Sequence, residues 1–179
     1  MGLGQRLVFS LIAVAVVCGG MGIYHVIGGM AADVYVDNFT PNDVAIELDG
    51  KPWLELQKGT TTHATVKPEA HKVVVRDKKS GNVVQYLTID STDGHSKYVL
   101  NVNGAKAYLK ATTIYTDQPL PADYEDEYDV ISDSFFEADV DYMFREPPDE
   151  VSVSEHVSSV TKTYLLRLDQ EVVAALLAQ

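Results

Sequence analysis

The chain has 179 residues, enough for one ordinary domain with appendages but too few for two full cores. Its formal net charge of −12 and pI near 4.6 argue against nucleic acid as a partner, because that binding depends on clustered lysine and arginine. A single cysteine, Cys18, excludes an internal disulfide and a multi-cysteine zinc cage. The fold must therefore be stabilised by apolar burial.

The first predicted element is a transmembrane helix within residues 1–32. One basic residue, Arg6, precedes a run from Leu7 to Ile27 that contains no Asp, Glu, Lys or Arg. A helix rises about 1.5 Å per residue, so about 20 apolar residues are enough to cross a hydrocarbon layer. Because positive charge stays on the cytoplasmic side, Arg6 predicts a single-pass protein with a cytoplasmic N-terminus and an extracytoplasmic body.

The same segment has a second interpretation as a cleaved signal peptide. Gly29-Met30-Ala31 supplies the small residues that a signal peptidase requires. The mature chain would then be a secreted or periplasmic binding protein. The length of the apolar run favours the membrane anchor, because the apolar region of a signal peptide usually ends near about 15 residues.

Charge divides the remainder of the chain into two regions. Residues 33–116 contain ten acids and ten bases, whereas residues 117–150 contain thirteen acids and one base, Arg145. The sequence therefore predicts a neutral domain over 33–116, an acidic linker over 117–134 and a C-terminal extension over 135–179.

Within the neutral domain, hydrophobic residues recur with the period of two that is typical of half-buried strands. In "DVAIELDG", Val44, Ile46 and Leu48 fall on one face of a strand that ends in Asp-Gly, a favoured hairpin turn. "HKVVVRDKKSGNVVQYLTID" predicts a second hairpin with its turn at residues 79–82. "KYVLNVNGAKAYLKATTIY" predicts a third, with its turn at Asn103-Gly104.

The strands "VYVDNF", "PWLEL" and "THATV" bring the predicted total to seven or eight, with a turn signal every eight to twelve residues. This spacing is typical of an antiparallel β-sandwich of immunoglobulin or transthyretin type. Trp53 is predicted to be its aromatic plug, and the alternative is an exposed contact residue. The predicted fold class is mainly β. One N-terminal transmembrane helix precedes the sandwich, and an acidic extension with extra strands and a short C-terminal helix follows it.

Two runs, "VAIELDGKPW" and "GTTTHATVKPEAHKVVVRD", resemble the PEGA and related carboxypeptidase-regulatory-like domains of bacteria, within about residues 34–115. In those domains a strand ending in Asp-Gly precedes a proline-containing turn and a His-x-Val-x-Val strand. The resemblance implies a small, non-catalytic extracytoplasmic sandwich. The glycine usual before the histidine strand is replaced here by Glu69-Ala70, and the shared pattern carries no functional residues.

The acidic stretch has two parts. "TDQPLPADYEDEYDVISD" has no period and predicts a solvated linker, because its carboxylates repel one another. "SFFEADVDYMFRE" alternates apolar and acidic positions, which predicts a strand. "VSVSE" and "SVTKTYLLRL" predict further strands. A short helix is predicted from Asp169 to Ala178, with Val172 and Leu176 docking on another part of the protein.

Candidate partner-binding residues lie on and beside the acidic face of the predicted strand. They are Glu137, Asp139, Asp141 and Tyr142. Three acids about 7 Å apart on one side of a strand suit a basic partner surface, and they equally suit an edge protected against aggregation. Both interpretations stay open at the level of sequence.

No metal site, cofactor or catalytic residue is predicted. "DYEDEYD" lacks the glycine of an EF-hand loop, and the remaining alternative is a low-affinity cation site at Glu125, Asp126, Glu127 and Asp129. The histidines at 63, 71, 95 and 156 lie on separate elements without an HExxH motif. The sequence contains no Gly-x-Ser-x-Gly elbow, P-loop or dinucleotide fingerprint, so the chain is not expected to be an enzyme.

These observations predict a non-catalytic, membrane-anchored interaction or assembly module of the cell envelope. Its acidic C-terminal extension is the expected docking surface for a protein partner. The alternative from another class is an accessory domain of a metal- or carbohydrate-binding envelope enzyme, which would need two acids converging across a cleft. A third possibility is a structural subunit held by lateral helix contacts.

Overall fold

A computed structural model describes residues 31–92, 96–120, 124, 127–151 and 159–169. Within these ranges the chain forms strands and one 3-10 turn but no α-helix, which confirms the predicted mainly β class. No helix in these ranges is long and apolar enough to cross a membrane. The predicted transmembrane helix and residues 170–178 of the predicted C-terminal helix lie outside the described residues.

Twelve strands follow one another along the described chain. They are β1 (Ala32–Asn38), β2 (Val44–Leu48), β3 (Lys51–Leu56), β4 (Thr60–Val66), β5 (Ala70–Asp77), β6 (Val83–Asp90), β7 (Lys97–Asn101), β8 (Ala107–Thr116), β9 (Tyr128–Ile131), β10 (Phe135–Glu137), β11 (Tyr142–Met143) and β12 (Ser159–Leu168). They form three four-stranded sheets. We call these the hairpin sheet (order β3-β2-β5-β6), the central sheet (β10-β7-β1-β4) and the C-terminal sheet (β11-β12-β8-β9). Most neighbours are antiparallel, but β1 pairs with β7, and β11 with β12, in parallel.

The hairpin sheet contains the first two predicted hairpins, and both are confirmed. Val44 and Ile46 are each 1% exposed and point into the core. The turn after β2 places Asp49 and Gly50 at φ +52° and +76°, the two positive values that a type I′ turn requires. In the turn between β5 and β6, Gly81 adopts φ +73°.

The third predicted hairpin is wrong, because β7 and β8 belong to different sheets. A 3-10 turn at Val102–Gly104 turns the chain from the central sheet into the C-terminal sheet. The buried Asn101 side chain stabilises this turn by donating to the carbonyls of Lys106 at 2.8 Å and Asp133 at 3.2 Å. Alternation shows which residues face inward, but it does not specify the partner strand.

The two inner strands of the central sheet, β1 and β7, are packed on both faces, so the described residues form three layers and two cores. Val34 and Val36 pack with the hairpin sheet in the first core. Tyr35 lies between them in sequence and packs with the C-terminal sheet in the second core, where Val99 of β7 is also buried. Trp53 is half-buried against the first core, as expected for an aromatic plug.

The C-terminal extension supplies strands to two of the three sheets. β12 pairs with β8 along its whole length, from Ser159↔Thr116 to Leu168↔Ala107. β9 lies inside the predicted linker 117–134 and pairs with the other side of β8, while β10 pairs with β7. The boundaries predicted at residues 116 and 134 therefore separate strands that are neighbours in the fold. The change in charge along the sequence therefore does not coincide with a break in strand pairing.

A buried histidine connects the β2–β3 turn to the segment that joins β4 to β5. The His71 ring is 4% exposed, with Nδ1 at 2.7 Å from the Asp49 carboxylate and Nε2 at 3.0 Å from the Lys67 carbonyl. Both partners are acceptors, so the protonated ring satisfies both contacts. Burial lowers the pKa of His71, but the bonds to Asp49 and Lys67 outweigh it and the pKa is raised. The hydrogen bonds that the Asp49 carboxylate accepts from His71 and from the Lys72 amide lower its own pKa.

We predict that His71 makes stability depend on pH. Because its folded pKa lies above the unfolded value of about 6.5, the stabilisation is complete below about pH 6.5 and is lost as pH rises through the folded pKa. Thermal unfolding of the wild type should show a Tm that falls between pH 6 and pH 8.5. His71→Gln should lower the Tm at pH 6 and reduce this fall, whereas His63→Gln, whose ring is exposed, should retain it. An unchanged pH dependence in His71→Gln would contradict the prediction.

Candidate functional site

The four predicted site residues do not lie on one strand. Glu137 is the last residue of β10 in the central sheet, and Tyr142 is the first residue of β11 in the C-terminal sheet. Residues 138–141 cross between the two sheets. This crossing segment is held by backbone bonds from Ala138 to Lys97 at 2.7 Å and from Asp141 to Thr163 at 3.0 Å. The predicted continuous strand is therefore wrong, because its two ends pair with different sheets.

The predicted alternation of side chains is nevertheless present in the crossing segment. Ala138 is fully buried and Val140 is 2% exposed, both in the second core. Glu137, Asp139 and Asp141 are exposed. Burial of the intervening apolar side chains is the physical reason that the three acids face solvent.

The three acids have different surroundings. Glu137 accepts a hydrogen bond from the Ser96 hydroxyl. Asp141 binds Lys162 Nζ at 2.7 Å and the Thr163 amide at 2.9 Å, and these contacts lower the pKa of its carboxyl group. Among the described residues, Asp139 has no hydrogen-bond or ion-pair partner. Asp141 thus fixes the crossing segment to β12, whereas the exposed Asp139 carboxylate makes no such contact with the described residues.

A groove that the sequence analysis missed runs beside the end of β8. It is lined on one side by residues 114–117 and on the other by residues 149–151, and it adjoins a second depression containing Tyr164 and residues 146–149. Tyr115 connects the two sides by donating its hydroxyl to the Pro148 carbonyl. The pKa of Tyr115 is raised by burial and by the neighbouring Tyr142 and Asp149. The only sequence pattern at this groove is "PPDE", which predicts a turn. The groove itself could not be predicted, because the pattern does not indicate that β8 pairs with β12.

The carboxylates of the acidic stretch differ from those of the neutral domain in their pairing. In the described part of the neutral domain, five carboxylates form ion pairs: Asp33, Asp37, Glu47, Asp49 and Glu55. Within the described residues of 117–150, only Asp141 does so. Nine exposed carboxylates there lack an ion-pair partner, and two of them, Asp117 and Glu137, accept side-chain hydrogen bonds instead. We call the remaining seven the acidic surface: Glu127, Asp129, Asp133, Asp139, Glu146, Asp149 and Glu150.

The described residues contain no group of three or more His, Cys, Asp or Glu side chains that could hold a metal ion. His63 and His71 each contact an aspartate, and His95 and His156 lie outside the described residues. The alternative cation site predicted at residues 125–129 falls partly outside the described residues as well.

A second feature missed at the sequence level is a buried charged cluster between the central and C-terminal sheets. Asp37 on β1 is fully buried and accepts bonds from Arg167 Nε at 2.8 Å and from Tyr108 Oη at 2.9 Å. Thr61 Oγ1 donates to the same carboxylate and accepts from Arg167 Nη2. The guanidinium carbon lies 3.7 Å from the Phe144 ring centroid, a cation–π contact.

The buried polar groups of this Asp37 cluster all have hydrogen-bond partners. Burial and the adjacent Asp37 charge strongly raise the pKa of Tyr108, so its phenol remains a neutral hydrogen-bond donor. Every buried side-chain nitrogen and oxygen of the described residues has a hydrogen-bond partner. The only sequence signal was an aspartate at an inward position of "VYVDNF". Because the donors and acceptors satisfy one another, the arrangement favours a structural role over a reactive one.

Comparisons with protein-family models, with curated proteins and with solved structures gave no match for this chain. The resemblance to PEGA-type domains therefore rests on the quoted strand and turn residues alone.

Proposed function

We propose that the protein is a non-catalytic, membrane-anchored extracytoplasmic module whose acidic surface binds a basic surface of a protein partner. The observation that carries the proposal is the contrast in carboxylate pairing. Five of the nine described acids of the neutral domain form ion pairs within the fold, whereas the seven acids of the acidic surface have none among the described residues. Uncompensated like charges repel, and an incoming cationic surface relieves that repulsion and is steered towards it.

Packing beneath the acidic surface supports the same function. Asp139 lies between Ala138 and Val140, which are buried in the second core. Asp129 belongs to β9, which is hydrogen-bonded to β8. Carboxylates on fixed backbone lose little conformational freedom when a partner docks, so more of the electrostatic attraction contributes to affinity.

The finer architecture belongs to the same proposal. The hairpin and central sheets would form the immunoglobulin- or transthyretin-like sandwich, with an anchor helix ahead of β1. The predicted apolar run ends at Ile27, and β1 begins at Ala32, so few residues separate the proposed anchor from the first core. The module would stand close to the membrane surface, where it could assemble with another envelope component.

Site-specific photocrosslinking in membranes tests this function. Removing residues 117–179 is unsuitable, because it deletes β9 to β12 from two sheets. A photoreactive residue at position 139 of the full chain should crosslink a partner of net positive charge, and one at the exposed Thr88 of β6 should not. The yield of this adduct should fall when crosslinking is carried out near 1 M salt, because the Debye length there is only about 3 Å and the attraction between the two surfaces is screened.

Charge reversal supplies the matched comparison. Glu146→Lys and Glu150→Lys should each reduce the adduct several-fold, because each places a cation in the acidic surface. Glu69→Lys changes the net charge equally at an exposed position of the neutral domain and should leave the adduct unchanged. Equal adducts from positions 139 and 88, or adducts insensitive to salt and to both reversals, would reject the proposed function.

A further inference from the structure

The strand β6 forms an open, apolar edge of the hairpin sheet. Among the described strands it pairs with β5 alone. Three large hydrophobic side chains on it are exposed: Val83 by 49%, Val84 by 38% and Tyr86 by 63%. The strand contains no charged residue from Val83 to Ile89. A protein of net charge −12 thus presents an uncharged strand edge at this place.

The opposite edge of the same sheet, β3, has features that prevent the addition of another strand. Lys51 and Pro52 begin β3, and a register shift interrupts its pairing with β2. Charged side chains, prolines and bulges are the usual protection of a sheet edge. The register of β6 shifts only at its first residues and is regular from Gln85 to Asp90. Of the two edges of the hairpin sheet, β6 is therefore the one that can accept a strand.

The free backbone groups of β6 belong to the residues whose side chains are exposed. On β5, the Lys72 amide donates to the Asp49 carboxylate at 2.9 Å, and the Lys72 carbonyl accepts from the Asp49 amide at 2.8 Å. Lys72 therefore bonds away from β6. Its pairing partner on β6, Thr88, then directs its own amide and carbonyl away from β5 and towards the open edge. Because this direction alternates along a strand, Tyr86 does the same.

Two copies of β6 complement each other when they pair antiparallel about Tyr86. In that register Tyr86 faces Tyr86 of the second copy and Val84 faces Thr88, so no charges are opposed. The exposed Asp90 lies at one end of β6, and the exposed Lys79 lies in the turn at the other end. Neither forms an ion pair with the described residues. Antiparallel pairing brings each of them to its opposite charge, once at each end of the contact.

We propose that the protein forms a two-fold symmetric dimer in which β6 strands pair antiparallel and join two hairpin sheets into one. A second copy is the occupant because charge and register are both self-complementary at this edge. The dimer is closed, since its outer edges are the two protected β3 strands. Its two-fold axis is perpendicular to the joined sheet, so both proposed anchors enter one membrane when that sheet lies parallel to the membrane plane.

This dimer is independent of the proposed partner function. The residues of the acidic surface lie outside the hairpin sheet, so the β6 contact leaves them free. A photoadduct between two copies at position 88 has twice the mass of the chain, which distinguishes it from an adduct with a basic partner. Failure of one proposal therefore does not imply failure of the other.

Cysteine crosslinking in the full chain, purified in detergent, tests the register. In a Cys18→Ser background, Tyr86→Cys places two thiols beside the two-fold axis, where paired Cα atoms are about 5.5 Å apart and within reach of a disulfide. Thr88→Cys is the control on the same face, because its two copies lie four residues apart, roughly 13 Å along the strands. Oxidation by copper-phenanthroline should give at least about tenfold more covalent dimer at position 86 than at position 88.

Charge substitutions measured by sedimentation equilibrium make the test independent of introduced thiols. Tyr86→Glu places two carboxylates at the axis and should raise the dimer Kd at least about tenfold. Tyr128→Glu is the same change at an exposed tyrosine of β9 and should leave the Kd unchanged. Lys79→Asp should weaken the dimer several-fold, and Asp90→Lys in the same chain should restore it, because the ion pairs are then reversed.

Three results would overturn the proposal. They are a wild-type chain that stays monomeric as its concentration rises, crosslinking at position 88 that equals or exceeds that at position 86, and a dimer that is insensitive to Tyr86→Glu.

Discussion

Replacement of Asp37 by alanine is expected to destabilise the protein by about 3–5 kcal/mol, the range observed when one partner of a buried ion pair is removed. Asp37 is fully buried, and its loss leaves the Arg167 guanidinium and the Tyr108 hydroxyl without their acceptor. Arg167 is itself largely buried, with 24% of its side chain exposed, so water cannot fully replace the carboxylate.

Urea denaturation of the full chain in detergent measures this loss. Asp33→Ala is the matched control, because Asp33 lies on the same strand but forms an exposed pair with His63 that should contribute at most about 1 kcal/mol. Asp37→Ala combined with Arg167→Met should recover part of the stability, since it removes the uncompensated charge. Equal effects of Asp37→Ala and Asp33→Ala would show that the cluster does not stabilise the fold.

The Asp37 cluster also connects strands on both sides of the point where the charge of the sequence changes. Its carboxylate comes from β1, and its donors come from Thr61 of β4, Tyr108 of β8 and Arg167 of β12. Asp37 and Arg167 are 130 residues apart in sequence. The cluster thus joins the central sheet to strands on both sides of the predicted boundary at residue 116.

Local features of the fold could be predicted from sequence, because they depend on neighbouring residues. The β2–β3 turn needs two positive φ values, which Asp49-Gly50 supplies, and the inward positions Val44 and Ile46 follow from a period of two. Sheet membership could not be predicted. Alternation in β7 and β8 fits a hairpin as well as two separate sheets, and the difference depends on the tertiary bonds of Asn101.

The same distinction applies to the candidate site. The solvent-facing side of the acidic alternation was predictable, because Ala138 and Val140 are apolar and are buried. The different hydrogen-bond and ion-pair contacts of the three acids could not be predicted. Lys162, the partner of Asp141, lies 21 residues away on β12, and no local pattern indicates that contact.

Leu165→Ala is expected to lower the free energy of unfolding by about 2–5 kcal/mol, the usual cost of removing a buried leucine side chain. Leu165 is fully buried in the second core, which also contains Val99 and Tyr108. The exposed Leu120, with 45% of its surface accessible, provides the same substitution at a position where the cost should stay within about 0.5 kcal/mol.

Trp53 makes this substitution a test of whether the two cores unfold together. It is the single tryptophan of the chain and packs against the first core, whereas Leu165 lies in the second. Because the central sheet contributes to both cores, loss of packing in one should destabilise the other. Leu165→Ala should therefore shift the urea midpoint of Trp53 fluorescence as far as the midpoint of the far-ultraviolet circular dichroism. If the fluorescence midpoint stays in place while the circular dichroism midpoint falls, the C-terminal sheet unfolds separately, and residues 117–179 form an appendage as the charge distribution had indicated.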